Sequence, residues 1–166
     1  GRSLLTPADL KRQLQGHFGL ATAPGIAIFV TSFSYRHGLP RDADLVFDMR
    51  FLQNPHYVAE LQPLTGRDRA VGEFIEADRD FVARFGELCH WISALLPRYE
   101  SEGKSYLTIA VGCTGGRHRS VYVAERLAAW LQSEGRHVGL LHRDLNRLGE
   151  AADPAAEPAH PVKDIA

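Results

Sequence analysis

Four short apolar runs, rich in β-branched and aromatic residues, predict the strands of this chain. They cover residues 25–33, 45–49, 105–111 and 137–141. Apolar residues at helical spacing predict helices over 6–17, 71–99 and 120–133. We expect the second to break into two helices at Gly86 or the preceding turn, and to weaken at Pro97. Strands separated by helices predict an α/β fold, with a small, mostly parallel sheet flanked by helices in a single domain.

Two regions fit neither pattern. Residues 51–69 contain prolines and a glycine without a clear period, which predicts a long irregular loop, and its aromatic content favours an ordered one. After Arg147 the composition turns to alanine, proline and acidic residues. We therefore expect an N-terminal helix and interdomain connection over 1–23, an α/β domain over 24–147, and a disordered tail over 148–166.

Composition narrows the classes of protein that this chain resembles. With 166 residues, 45% of them hydrophobic and 23% charged, it fits a soluble globular domain, and no apolar stretch approaches the about 18–20 residues of a membrane helix. Cys89 and Cys113 make no disulfide framework, so we expect a cytoplasmic location. The net charge of −1 argues against a uniformly basic nucleic-acid binder, although residues 117–147 hold six arginines against three acidic residues.

The segment GCTGGRHRS, at residues 112–120, gives the strongest functional signal. It predicts a strand, a loop of small residues and a helix N-terminus, which together direct unpaired main-chain N–H groups at an anion. Gly115 and Gly116 let the main chain approach a ligand closely, Thr114 offers a hydroxyl, and Arg119 supplies fixed charge. The loop is therefore predicted to bind phosphate.

Cys113 and Arg119 allow a second interpretation of this loop. Their Cys-x5-Arg spacing, followed by Ser120, resembles the signature of cysteine-dependent phosphatases, in which a thiolate attacks phosphorus and the arginine holds the equatorial oxygens. The histidine that usually precedes the cysteine is replaced by Gly112, and the sequence offers no clear general-acid aspartate. Packing of Cys113 beneath the loop is the preferred interpretation.

A wider set of motifs resembles one family. The runs SFSYRHGLPRDADLVFDMRFLQNPHY, LQPLTGRD, SYLTIAVGCTGGRHRSVYVAERLA and HRDLNR occur in this order and resemble the C-terminal domain of the RapZ/YvcJ family of bacterial RNase adapters and nucleotide-binding proteins. The resemblance covers about residues 26–147. It implies a homo-oligomeric sensor of an amino-sugar phosphate, such as glucosamine 6-phosphate. It also implies that small RNAs are bound and presented to an endoribonuclease, in control of amino-sugar and cell-envelope precursor synthesis.

The resemblance also implies a P-loop domain that binds ATP or GTP in the N-terminal half of the family. No G-x-x-x-x-G-K-[ST] motif occurs in these 166 residues. We therefore expect no nucleotide cofactor in this chain.

Motif positions carried over from the family imply where the sugar phosphate binds. The implied contacts are His56, Thr114, Gly115, His118 and Arg119, with Asp48 and Arg50 nearby and with Cys113 and Gly116 in the same loop. The histidines suit phosphate or hydroxyl groups, and Asp48 suits a hydroxyl or an amine. An Asp48–Arg50 ion pair and a turn role for His56 are the structural alternatives.

Basic side chains near the C-terminal end form the candidate RNA-binding face: Arg117, Arg126, Arg136, His142, Arg143 and Arg147. An ordinary solvated helix face explains the same charges. The acidic, proline-rich end of this chain also differs from the short basic tail of better-studied relatives. The cysteine and histidine spacings match no compact metal motif, so no metal site is expected.

These observations predict a non-catalytic sensor domain, in which bound amino-sugar phosphate changes how the protein engages RNA or a protein partner. Two alternatives stay open. One is a cysteine phosphatase that uses Cys113 and Arg119, and the other is an oligomerisation or scaffold module whose anion site is incidental.

Overall fold

The computed structural model describes residues 25–146. The helix predicted over 6–17, the tail predicted over 148–166 and Arg147 lie outside the described residues.

A four-stranded parallel sheet forms the centre of the described chain. Its strands are β1 (Ala27–Ser34), β2 (Leu45–Asp48), β3 (Tyr106–Cys113) and β4 (His137–His142), in the spatial order β2-β3-β1-β4. The pairs β1–β3, β1–β4 and β2–β3 are all parallel. This confirms the predicted α/β class, and every predicted strand lies within a few residues of an observed one.

Within residues 25–146, three α-helices accompany the sheet: α1 (Arg69–Glu76), α2 (Arg79–Ser101) and α3 (Arg119–Ser133). The long helical segment divides into two helices, as expected, and the break lies at Ala77 and Asp78, before Gly86. The Asp78 carboxylate accepts the N–H of Asp80 at 3.0 Å and so caps α2. Gly86 and Pro97 both lie inside α2, which continues past the proline to Ser101.

The segment between β2 and α1 is largely irregular, as predicted. It contains one turn of 3₁₀ helix at Pro55–Tyr57, where the Asn54 side chain accepts the His56 N–H at 3.1 Å. Leu52 and Leu61 of this segment are buried in the core. The long loop is therefore packed against the domain.

The core lies between the sheet and the helices. β1 and β3, the two central strands, are buried along nearly their whole length, and α3 packs one face against them. Representative core side chains are Ile28, Val30, Ile109, Leu127 and Ile92. None of the described helices has the length and apolar character that a bilayer-spanning helix needs.

Candidate anion-binding site

The candidate site lies where the parallel strands end. Ser34 of β1 is in register with Cys113 of β3, and Asp48 of β2 is in register with Gly112. Residues 114–118 leave this edge as a loop and lead into α3. Ligands of open parallel sheets bind outside the carboxyl ends of the strands, which is where this loop is found.

The main chain of the loop carries unpaired donors. Within residues 25–146, the N–H groups of Gly115, Gly116, Arg117 and His118 donate to no protein acceptor, and the His118 side chain makes no capping bond to the helix. Gly116 adopts a positive φ of 69°. Thr114 and Gly115 are half-buried, so solvent and a ligand can reach the loop there. The loop has the unpaired N–H groups that the sequence predicts for an anion site.

Arg119 joins the start of α3 to the loop that follows β2. Its side chain is only 3% exposed, and its Nη1 donates to the carbonyl oxygens of Arg50 and Leu52, each at 3.1 Å. Its Nε is buried and has no hydrogen-bond partner among the described residues. A buried donor without an acceptor costs about 1–3 kcal/mol. An anionic oxygen is the kind of acceptor that would remove this cost.

His118 is held beneath the loop. Its Nε2 lies 3.0 Å from the carbonyl oxygen of Leu61, so Nε2 carries the hydrogen. Burial lowers the pKa of His118 below 6.5, although the bond to Leu61 acts in the opposite direction. His118 is therefore a neutral donor at pH 7, and it ties the start of α3 to the irregular segment. His56 also contributes to the lowering of the His118 pKa, so the two histidines lie in electrostatic reach of each other.

His56 combines a turn position with proximity to the site. Its Nε2 lies 3.3 Å from Nε2 of Gln62, and its ring meets the ring of Tyr57 edge-on at 5.9 Å. His56 also has the structural role that the sequence left as an alternative. It lies in a turn in which the Asn54 side chain accepts its N–H. The two roles are compatible, since the turn involves the main chain of His56 and the ring makes the contacts with Gln62 and Tyr57.

Asp48 and Arg50 form an ion pair, which was the structural alternative to ligand binding by these two residues. The Arg50 side chain donates to both carboxylate oxygens of Asp48 at 2.7–3.1 Å, and the Arg50 N–H adds a bond at 2.9 Å. Burial raises the pKa of Asp48, but the bonds and charge of Arg50 outweigh it and the pKa is lowered overall. The Arg50 guanidinium also lies 3.9 Å above the ring of Tyr35, a neighbour that the sequence did not single out.

Cys113 is packed beneath the loop, as the preferred interpretation of the sequence held. Its side chain is 2% exposed, and its thiol donates to the Ser120 hydroxyl at 3.1 Å. The thiol is therefore bonded within the domain, which is the packing role that the sequence favoured. The geometry therefore favours the binding interpretation of the loop over the phosphatase interpretation.

Two residues that support the loop, Ser34 and Asp144, were not among the predicted site residues. The Ser34 hydroxyl donates to the carbonyl oxygen of Thr114 at 2.6 Å, and the Ser34 N–H donates to the Asp144 carboxylate at 2.7 Å. Both residues are buried. Ser34 and Asp144 are 110 residues apart in the chain, so no local motif connects them. The only local signal was a hydroxyl residue at the end of an apolar strand.

The candidate RNA-binding arginines make contacts within the domain. Three are in ion pairs: Arg126 with Glu76, Arg136 with Glu100, and Arg143 with Asp144. Arg117 donates to the carbonyl oxygens of Pro63 and Leu64. These contacts neutralise or occupy much of the basic segment that the sequence suggested.

His142, expected on the RNA-binding face, lies inside the domain, which corrects that expectation. Its Nε2 donates to the Glu125 carboxylate at 2.8 Å, and its Nδ1 accepts from the Ser32 hydroxyl at 2.7 Å. Burial lowers the pKa of His142, and Glu125 only partly offsets this. The physical reason is the register of β4, which places His142 beside Ser32 of β1. The arrangement resembles a hydrolase triad, but Ser32 is fully buried and no substrate can reach its hydroxyl.

Two clefts are found within the described residues. One, of about 420 Å³, is lined mainly by apolar residues that include Phe47, Phe85 and Trp91. The other, of about 650 Å³, is a charged cleft around Tyr122. Asp48 lines the first cleft, and residues 113–119 line neither of the two. Within residues 25–146, no three histidine, cysteine or acidic side chains group together as metal ligands would.

The chain is similar to known proteins of one family. A family model for the RapZ C-terminal domain matches residues 26–146. A nucleotide-binding protein of Paramagnetospirillum magneticum is 60% identical over 143 residues, which is 86% of this chain and 47% of that protein. One of Rhodospirillum centenum is 56% identical over 164 residues, covering 99% and 48%, and one of Symbiobacterium thermophilum is 48% identical over 155 residues, covering 93% and 51%. The chain spans about half the length of the curated relatives it matches.

Proposed function

The chain belongs to the RapZ C-terminal domain family, and from this membership we propose that it is a non-catalytic sensor domain that binds an amino-sugar phosphate. The ligand class is that of glucosamine 6-phosphate, and its phosphate docks at the loop over residues 114–118. A cytoplasmic location and assembly into a homo-oligomer are parts of the same proposal.

One observation carries the proposal. The loop offers unpaired N–H groups at the N-terminus of a 15-residue helix, and directly after it the buried Nε of Arg119 lacks an acceptor. A phosphate group supplies several anionic acceptors at once, and the helix dipole favours its charge. The Thr114 hydroxyl lies on the same loop and adds a further donor.

The sugar would lie toward the end of β2. Asp48 already accepts from Arg50, but each carboxylate oxygen can accept more than one hydrogen bond, so a protonated sugar amine can share the group. His56 lies in the irregular segment that follows β2, and a sugar hydroxyl can bond its ring. This arrangement favours the phosphate of an amino sugar over the phosphate of a sugar that has no amine.

The relatives named above are called nucleotide-binding proteins. No P-loop motif occurs in this chain, and we assign the binding of ATP or GTP to the half of their length that this chain does not span. For this domain, sugar-phosphate occupancy is proposed to change how RNA, an endoribonuclease or another protein partner is engaged. Arg117, Arg126, Arg136 and Arg143 remain the proposed RNA contacts, together with Arg147.

Thermal unfolding and calorimetry of the 166-residue chain test the sensor function. Glucosamine 6-phosphate at 100 times its Kd should stabilise the fold by about 2.7 kcal/mol, which is several degrees in Tm, whereas glucosamine without phosphate should have little effect. ATP and GTP should not compete. Absence of a Tm shift with every sugar phosphate tested would refute the proposal.

Substitutions in the loop test where the ligand binds. Arg119→Lys removes the Nε donor and Gly115→Pro removes one loop N–H, and both should weaken binding. Arg98→Lys is the matched control, because Arg98 is exposed near the end of α2, at the opposite edge of the sheet.

Turnover of an aryl phosphate that is lost in Cys113→Ser would replace the sensor function by the phosphatase. A salt-dependent gel shift with structured RNA tests the coupling to RNA.

A further inference from the structure

Ser34, the last residue of β1, holds the loop through a hydrogen bond. The hydroxyl of Ser34 donates to the carbonyl oxygen of Thr114 at 2.6 Å, and the hydroxyl oxygen also accepts the Arg36 N–H at 3.1 Å. Ser34 is fully buried and stands in register with Cys113, the residue that precedes the loop. Its position is therefore set by the sheet.

The bond to Thr114 fixes the direction of the next N–H group. Every peptide bond in the described chain is trans, so the carbonyl of Thr114 and the N–H of Gly115 point in opposite directions. Since the carbonyl points at Ser34, the Gly115 N–H points away from Ser34 and β1. Gly116 packs closely against Ser34, because a Cβ on Gly116 would come within 2.9 Å of the Ser34 Cβ.

A buried carboxylate holds Ser34 in turn. Asp144, just beyond β4, accepts the Ser34 N–H at 2.7 Å and is 1% exposed. The Arg143 guanidinium donates to Asp144 at 2.8 Å and to the carbonyl oxygen of Gly38 at 2.7 Å. A continuous chain of hydrogen bonds thus runs from the end of β4, through Asp144 and Ser34, to Thr114 in the loop.

We infer that Ser34 is a positioning residue for the ligand phosphate: its hydroxyl, supported by Asp144, directs the Gly115 N–H toward the bound anion. The inference rests on the proposed function, because it assigns a role in binding at the same loop. Ser34 itself touches no ligand in this arrangement. It lowers the cost of binding by presenting a donor that is already oriented.

The test compares two buried serines of β1 in the full chain. Ser34→Ala removes the bond to Thr114. Ser32→Ala is the matched control, since it removes an equally buried hydroxyl of the same strand that bonds His142 instead of the loop. Calorimetry with glucosamine 6-phosphate and with inorganic phosphate should show about tenfold weaker binding of both ligands to Ser34→Ala, the usual scale for a hydrogen bond to a charged group. Binding to Ser32→Ala should stay within about twofold of the parent chain.

NMR gives a readout that a loss of stability alone would not change. Inorganic phosphate should shift the Gly115 amide resonance strongly in the parent chain and in Ser32→Ala, and only weakly in Ser34→Ala. Equal affinity of Ser34→Ala and the parent chain, or equal weakening in both serine variants, would overturn the positioning role and leave the sensor function standing. A parent chain that binds neither ligand would overturn both.

Discussion

Gly66 is the position where a single methyl group should disturb the candidate site most. Gly66 is buried, and its N–H donates to the carbonyl oxygen of Arg117 at 2.8 Å. A Cβ at this position would overlap the carbonyl oxygen of His118 and the main-chain nitrogen of Tyr122, and would lie 2.8 Å from the Cβ of Val121. Two of these atoms belong to the main chain at the start of α3, so no side-chain rotation can make room.

The expected cost of Gly66→Ala follows from these contacts. Overpacking a well-packed site costs typically 1–3 kcal/mol, and displacing the Gly66 N–H from Arg117 adds about 1 kcal/mol. We expect the free energy of unfolding to fall by about 3 kcal/mol, which corresponds to roughly 10 °C in Tm for a chain of this size. Urea denaturation followed by circular dichroism measures this directly.

Gly86→Ala is the matched control for Gly66→Ala. Gly86 lies on the exposed side of α2, where a Cβ would meet no atom within 4 Å. Alanine in a helix interior is favoured over glycine by about 0.5–1 kcal/mol, so this variant should be slightly more stable than the parent chain. If Gly66→Ala unfolds within about 0.5 kcal/mol of the parent chain, the close approach of Gly66 to α3 is not a feature of the protein in solution.

Two further predictions concern buried titratable groups. Burial lowers the pKa of both His118 and His142, so below about pH 6.5 the unfolded chain binds more protons than the folded one, and the free energy of unfolding should fall between pH 7.5 and pH 5.5. Urea midpoints across this range measure the slope, which should become shallower in His142→Asn, and a flat profile in the parent chain would contradict the burial of these rings. Burial raises the pKa of the Cys89 thiol to about 11, so Cys89 should react slowly with a disulfide reagent at pH 8 and rapidly in urea. Fast reaction of Cys89 in the folded Cys113→Ser variant would show that its thiol is more accessible than the structure indicates.

The strands and the loop could be predicted because their signals are local. Runs of β-branched residues are recognisable within a few positions, and the glycines of the loop follow one such run directly. The break in the long helical segment could be predicted only as Gly86 or the turn before it, because two local signals compete there. Gly86 lowers helix propensity by about 1 kcal/mol at most. Asp78 instead caps a new helix with its side chain, and this bond decides where α2 begins.

The supports of the candidate site could not be predicted because they join distant parts of the chain. Ser34 meets Asp144 and Thr114 only after β1, β3 and β4 have paired in register. Arg119 shows the same limit. Its type and position could be predicted, but its bonds to the carbonyls of Arg50 and Leu52 depend on how the loop after β2 folds back. Residue type indicates the possible chemistry of a site, whereas the sheet register decides which groups meet.

The distribution of charge changes in the same way when the chain folds. The positive balance of residues 117–147 counts only acidic residues inside that segment, yet Arg126 pairs with Glu76 and Arg136 with Glu100, both far outside it. Each pair cancels a charge that the sequence assigned to a phosphate-binding face. At the candidate site, as far as residues 25–146 show, the main-chain N–H groups of residues 115–118 and the Nε of Arg119 stay unpaired. Such donors are fixed in place and close together, which suits one small phosphate group better than the extended backbone of a nucleic acid. If this domain binds RNA, Arg117 still offers an uncancelled charge, because its partners are carbonyl oxygens, whereas Arg126 must first give up Glu76.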